Sequence, residues 1–175
     1  MTLPIPPGTY GIDPVHSQIV FAIRHLGIST IRGTFDRFGG SLTIGDVLSD
    51  TSVTVEADMS SLNSGNSMRD EHVHGPDFFD LTTHPNMTFQ STSVAESGDG
   101  YALTGDLTIR GVTLPITFDT TFNGSEVFPV DGSTHFGFSA SATISRTAFG
   151  MGSFIPVLSD KVAVQLEAQF VRPAG

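Results

Sequence analysis

Apolar side chains recur at every second position through most of this sequence, a spacing that produces a single apolar face only in an extended strand. The run DPVHSQIVFAIRHL from Asp13 sets Val15, Ser17, Ile19, Phe21, Ile23 and His25 on one face and His16, Gln18, Val20, Ala22 and Arg24 on the other. After a turn at Gly27, Ile31, Gly33 and Phe35 share a face, and Phe38, Gly40, Leu42 and Ile44 share one after a shift of one residue. A parity shift beside glycines predicts a β-bulge that bends the strand, as closed sheets need at their corners. Val53, Val55, Ala57 and Met59 mark a third strand, and Met87, Phe89, Ser91 and Ser93 a fourth. Tyr101, Leu103, Gly105, Leu107 and Ile109 mark a fifth, and a turn at Arg110-Gly111 leads into Val112, Leu114, Ile116, Phe118, Thr120 and Phe122 at hairpin spacing. Residues 136–144 and 162–170 alternate in the same way.

Roughly eight antiparallel strands with hairpin-length connections favour a closed up-and-down barrel, because closure removes the edges such a chain would otherwise expose. A barrel of about eight strands has interior room for side chains or for one small ligand. A two-sheet sandwich is the competing arrangement. The 175 residues contain no repeat, low-complexity tract or linker, so residues 1–175 are expected to form one domain. The chain carries 14 phenylalanines and no tryptophan, and most of those rings must point inward, toward a core or a cavity. Gly33, Gly40, Ser17, Ser91 and Ala140 lie between them on the inner face, a mixture that can leave an elongated apolar space or close it.

A formal charge of −10, from 18 acidic and 8 basic side chains, disfavours nucleic acid and anionic membrane surfaces as partners. The absence of cysteine removes disulfides, thiolate catalysis and thiolate metal sites. No apolar run approaches the roughly 20 residues that span a bilayer, so no integral membrane segment is expected. The opening MTLPIPPGTYGIDP has no basic residue ahead of a hydrophobic run and does not resemble a secretory signal; if Met1 is the natural start, a cytoplasmic location is expected.

One stretch breaks the alternation: MRDEHVHGPDFFDLTTHP, residues 68–85, which gathers charges, three histidines and two adjacent phenylalanines. Asn66 or Ser67 is placed to cap a short helix through His74, giving a helical segment near residues 66–81, and Asp77 to begin a further turn around Phe78 and Phe79. The segment reads either as a plug tied down by Arg69 and Asp70 or as one lip of a ligand entrance. His72, His74 and His84 raise the alternative of a histidine-dependent metalloprotein or enzyme, but His-x-His shares a face only in an extended segment and diverges by about 200° on a helix. Asp13, His16 and Ser17 hold the residue types of a hydrolytic triad, yet adjacent strand positions face opposite ways, and no G-x-S-x-G elbow is present. No catalytic residue, metal or cofactor is assigned.

Several motifs in order resemble the YceI-like family: DPVHSQIVFAIRHLGIS, GTFDRFGG, RDEH at 69–72, DFFD at 77–80, HPNMTF at 84–89, GDLTIRGVTLPI at 105–116 and SRTAFGM at 145–151. The resemblance implies an all-β, eight-stranded antiparallel lipocalin-like barrel with the helical segment at one end. It also implies a non-enzymatic protein that binds, carries or stores a polyisoprenoid lipid or an amphiphile with an isoprenoid tail, such as a polyprenyl or isoprenoid-quinone chain, held lengthwise inside. On that basis Phe21, Ile23, Phe35, Phe38, Phe89, Leu107, Phe118 and Phe138 are expected to contact the tail. His25, Arg69 and His72 are expected near the head group, with Arg32 and His84 as further donors. Burial of about 20 tail carbons at roughly 0.8 kcal/mol each supplies on the order of 16 kcal/mol before ordering and association costs. A homodimer formed through a lateral barrel face is compatible with such a fold.

Overall fold

The computed structural model describes residues 2–175. Its strands are β1 (Gly8–Ile12), β2 (Gln18–His25), β3 (Ser29–Phe35), β4 (Phe38–Ile44), β5 (Ser52–Asp58), β6 (Leu62–Asn63), β7 (Asn86–Ser97), β8 (Gly100–Ile109), β9 (Val112–Val127), β10 (Thr134–Ser145) and β11 (Leu158–Arg172), with one α-helix, α1 (Ser67–His74). All pair antiparallel in one sheet, and the sheet closes because β1 pairs both with β4 and with β11, where Gly11 faces Val171.

The eleven strands make eight staves of one barrel. β1 and β2 are two halves of the first stave, since β11 pairs with both, and β3 and β4 are two halves of the second, since they pair with β2 and β1 in turn. The remaining staves are β5 and β7 to β11, while β6 extends the third stave along β3 by setting Leu62 opposite Phe35. The bend expected in the second stave lies at Asp36–Arg37, where the chain leaves β3. Asp36 N–H donates to Ser61 O, and Arg37 O accepts from Asp58 N–H, so the interrupted ladder is repaired from the neighbouring stave.

Two expectations of facing are corrected. Alternation sets Val15 on the strand face that carries Phe21, but it is 82% exposed, because Asp13–Ser17 is a turn and not a strand. Asp13 Oδ1 accepts from Val15 N–H at 2.9 Å, the local side-chain-to-backbone bond with which Asp stops an extended run. In β7 the ladder shifts between Ser91 and Ser93, so the inward position after the bulge passes from Ser93 to Val94. Ser91 Oγ accepts from Val53 N–H at 2.8 Å there, satisfying a backbone donor where β5 and β7 part.

The Arg110-Gly111 turn has positive φ at both positions, 53° and 72°, as a two-residue type I′ hairpin between twisted strands requires. Inside, small residues admit rings. A Cβ on Gly33 would lie 2.4 Å from the Phe21 ring and one on Gly105 2.5 Å from the Phe89 ring. These glycines are therefore packing partners of those phenylalanines across the strand pair.

Candidate functional site

The inward faces do not meet. They enclose a cavity of about 490 Å³ whose lining runs from Leu3 and Phe170 near one end to Phe154 and Leu158 near the other. Leu158 and Phe170 lie at opposite ends of β11, and that stretch of strand at roughly 3.3 Å per residue, tilted by about 40°, spans roughly 30 Å along the axis.

The end at which β1 starts is closed. Leu3, Ile5, Tyr10, Leu42, Ile44, Phe136 and Phe170 form a buried cluster across it, and Tyr10 Oη donates to Pro6 O at 2.6 Å to hold the N-terminal segment in place. The other end is covered by two loops. One contains α1, whose N-cap Asn66 accepts from Arg69 N–H at 3.0 Å and whose eight residues include none that is buried. The second connects β10 to β11. The loops meet through aromatic rings: Phe78 and Phe154 stack at 5.8 Å and 4°, and His72 stands edge-on to both at 5.4 and 5.2 Å. Phe154 is 48% and Val157 41% exposed while both line the cavity, which identifies this as the open end.

Ten of the residues singled out from the sequence line this cavity: Phe21, Ile23, His25, Phe35, Arg69, His72, Phe89, Leu107, Phe118 and Phe138. Phe38 does not. It follows the Asp36–Arg37 break and packs into the main core cluster outside the cavity wall. Arg32 is exposed on the outer side of β3, and His84 packs against Gly111, so neither reaches the cavity. Phe78 and Phe79 divide their roles, for Phe79 turns inward to the Phe35 ring at 6.1 Å while Phe78 joins the stack at the opening.

The histidines of residues 68–85 have separate surroundings. His72 Nε2 is 3.3 Å from Asp77 Oδ2, and His74 Nε2 is buried with no partner. No three His, Asp or Glu side chains among the described residues gather closely enough to hold a metal ion. Asp13 and His16 do meet, at 2.7 Å, but the Ser17 hydroxyl is engaged with the Gln169 backbone, accepting from its N–H at 2.9 Å. Burial raises the Asp13 pKa, yet the hydrogen bonds from His16 and from Val15 N–H outweigh it and hold the carboxyl below its usual value.

Sequence reasoning missed Arg146, in the SRTAFGM stretch. It is 3% exposed and lines the cavity at the open end. Its Nε donates to Ser159 O at 2.8 Å, Nη1 to Met151 O and to Ser153 O, and Nη2 to Leu158 O at 2.9 Å, so one side chain pins the whole β10–β11 loop. Burial pushes its pKa down, and the nearby Asp160 carboxylate partly offsets that. Asp160 accepts from Thr147 Oγ1, Thr147 N–H and Ser145 Oγ, and these bonds draw its pKa down to about 2. The available signal was an arginine between polar residues at the end of an alternating strand, which spacing alone cannot tell from a surface charge.

The YceI-like domain family matches residues 10–170. The chain belongs to the YceI-like family. It is 36% identical over 163 residues to a UPF0312 protein of Vibrio campbellii, covering 90% of this chain and 83% of that one. It is 38% identical over 144 residues to a UPF0312 protein of Staphylococcus aureus, covering 81% of each. Among solved structures, the YceI protein of Campylobacter jejuni matches with a TM-score of 0.74 at 27% identity, over 86% of this chain and 90% of that one. Burkholderia cenocepacia BcnA matches with a TM-score of 0.81 at 24% identity, over 90% and 98%. A polyisoprenoid binding domain from Saccharophagus degradans matches with a TM-score of 0.65 at 14% identity, over 94% and 98%. The last two share the YceI-like barrel. Among the described residues, no helix is long and apolar enough to cross a membrane.

Proposed function

We propose that this YceI-like barrel binds a long-chain isoprenoid lipid, of polyprenyl or isoprenoid-quinone type, with the tail lengthwise in the cavity, and serves to carry or store it without catalysing a reaction. The observation that carries the reading is the shape and chemistry of the cavity: one apolar channel along the barrel, closed by packed side chains at one end and open at the other. Its volume of about 490 Å³ falls within the roughly 300–1,000 Å³ of small-ligand pockets. A branched apolar chain suits a wall of Phe, Ile, Val and Leu because burial of its carbons needs no polar partner along the length. The polyisoprenoid-binding description of the Saccharophagus degradans domain supports the same class of ligand.

The direct test is native mass spectrometry of protein purified from its own host, followed by solvent extraction. A retained prenyl lipid is expected, and recovery of none, together with failure to bind any long-chain isoprenoid in solution, would sink the proposal. Ala140 lines the middle of the channel and sits opposite Leu166. Ala140→Phe is expected to block uptake of a long prenyl probe by occupying the space that its tail needs.

A further inference from the structure

Eleven large apolar side chains are exposed among the described residues, and six of them stand around the mouth of the cavity: Leu26, Ile28, Met68, Phe154, Ile155 and Val157. They come from three elements, the β2–β3 turn, α1 and the β10–β11 loop. These elements touch one another, since Leu26 N–H donates to Val157 O at 2.7 Å and His72 of α1 stands edge-on to Phe154. Phe154 and Val157 also continue the apolar surface from the rim into the cavity wall. A contiguous exposed patch of this kind marks a surface that a partner covers.

The rim can leave water at little polar cost. Ile28 N–H donates to His25 O at 3.1 Å, Leu158 N–H donates to Phe154 O at 2.8 Å, and Pro156 has no N–H to satisfy. Residues 26–31 and 151–158 contain no charged side chain. Apolar segments whose backbone is satisfied locally enter the boundary between head groups and acyl chains without stranding a donor or a charge. The segments that build this end, residues 24–28, 64–85, 110–111 and 145–161, hold four arginines and one lysine against five carboxylates, so the net charge of −10 lies on the rest of the molecule. The exposed apolar residues of the far end differ. Val127, Phe128 and Val130 sit between Glu126 and Asp131, and hydrogen bonds from Ser133 hold the Asp131 carboxyl below its ordinary pKa, so that patch would take charge into lipid.

We infer that the open end docks on the surface of a phospholipid bilayer, with Ile28, Ile155 and their rim neighbours dipped below the head groups, so that a lipid passes between membrane and channel without crossing water. This rests on the lipid-binding reading above and adds its route. A long prenyl chain released into water forfeits the burial that holds it on either side, and a mouth set against the membrane avoids that loss. The balanced end faces the lipid while the acidic body extends beyond the roughly 8 Å Debye length of physiological salt, so a zwitterionic surface suffices.

Flotation of the full chain with phosphatidylcholine vesicles tests the inference. The wild type is expected to float with them. Ile28→Asp and Ile155→Asp, at residues that do not line the cavity, are each expected to lower partitioning roughly tenfold or more. Val130→Asp, at a residue of the far end as exposed as Ile28, is expected to leave it unchanged. All three variants should keep the wild-type unfolding midpoint and the uptake of a dispersed prenyl probe, and either rim variant carries the test if the other does not fold. A wild type that does not float, or an equal loss from Val130→Asp, overturns the docking. So does a dimer in sedimentation velocity that Ile28→Asp abolishes in a protein that does not float, which would assign the rim to a second copy. Retained prenyl lipid without flotation leaves the channel reading intact and removes the docking, whereas flotation with no prenyl lipid bound does the reverse.

Discussion

The two ends of this barrel face the same physical problem, an apolar interior that must be separated from water, and they meet it differently. At the closed end Leu3 and Ile5 fold over Tyr10, Phe136 and Phe170, and each of these five is at least nine-tenths buried. At the open end the cover is made of two separate loops, one with a helix that buries none of its residues, joined by a few ring contacts and anchored through Arg69 and Arg146. Hydrophobic packing is cooperative and removes all its contacts together, whereas loops tethered by polar anchors can separate at their contact without disturbing the barrel beneath. On the proposed lipid-binding reading, the contrast gives stability to the floor and passage to the loops.

Substitutions can break that contrast. The largest effect is expected from Phe136→Ala at the closed end, about 3–5 kcal/mol by urea denaturation, against less than about 1 kcal/mol for the half-exposed Phe154→Ala. Similar losses at both ends would show that the loops are as integral as the floor. Phe79→Ala removes a ring packed on Phe35 and should lower stability by an intermediate amount with little effect on exchange. Phe78→Ala removes the stacked partner of Phe154 and should raise the rates of probe uptake and release several-fold in stopped-flow fluorescence. The opposite assignment of the two phenylalanines would refute the division of roles.

The smallest effect concerns acid. The Asp160 pKa lies near 2 in the folded protein against an ordinary 3.8. A depressed carboxyl stabilises the fold above its unfolded pKa and ceases to as pH falls through the folded value. The anchor of the β10–β11 loop is thus expected to weaken between about pH 4 and pH 2. Asp160→Asn should remove that part of the pH dependence, measured as the difference in unfolding midpoint between variant and wild type. An unchanged difference across this range would mean that the carboxylate does not hold the loop.

Alternation made most of the barrel legible, because burying one face of each strand imposes a period of two whatever the order of pairing. Phe21, Phe35, Phe89, Phe118 and Phe138 all reach the cavity from that rule alone. It failed where a side chain intervened in the backbone: at Asp13, which ends β1 by bonding Val15 N–H, and at the β7 bulge, where one extra residue reverses the parity and substitutes Val94 for Ser93. Phe38 was misplaced because the break at Asp36–Arg37 redirects the stave. The chemistry of the open end was less legible still. Arg146 acts through backbone carbonyls of residues 151–159, partners with no sequence signature, and only folding brings them around one guanidinium.

Ring closure has a kinetic consequence. The pair that completes the barrel, Gly11 against Val171, joins residues separated by nearly the whole chain, and β11 is also the sole neighbour that β10 and β2 share. Contacts this remote in sequence form late, after loop-closure entropy has been met by nearer hairpins such as β7–β8 and β8–β9. During synthesis the early strands must therefore wait, with one ladder edge unpaired, until β11 has emerged from the ribosome. The channel does not exist before that moment, so any lipid it holds is acquired after translation of the barrel is finished.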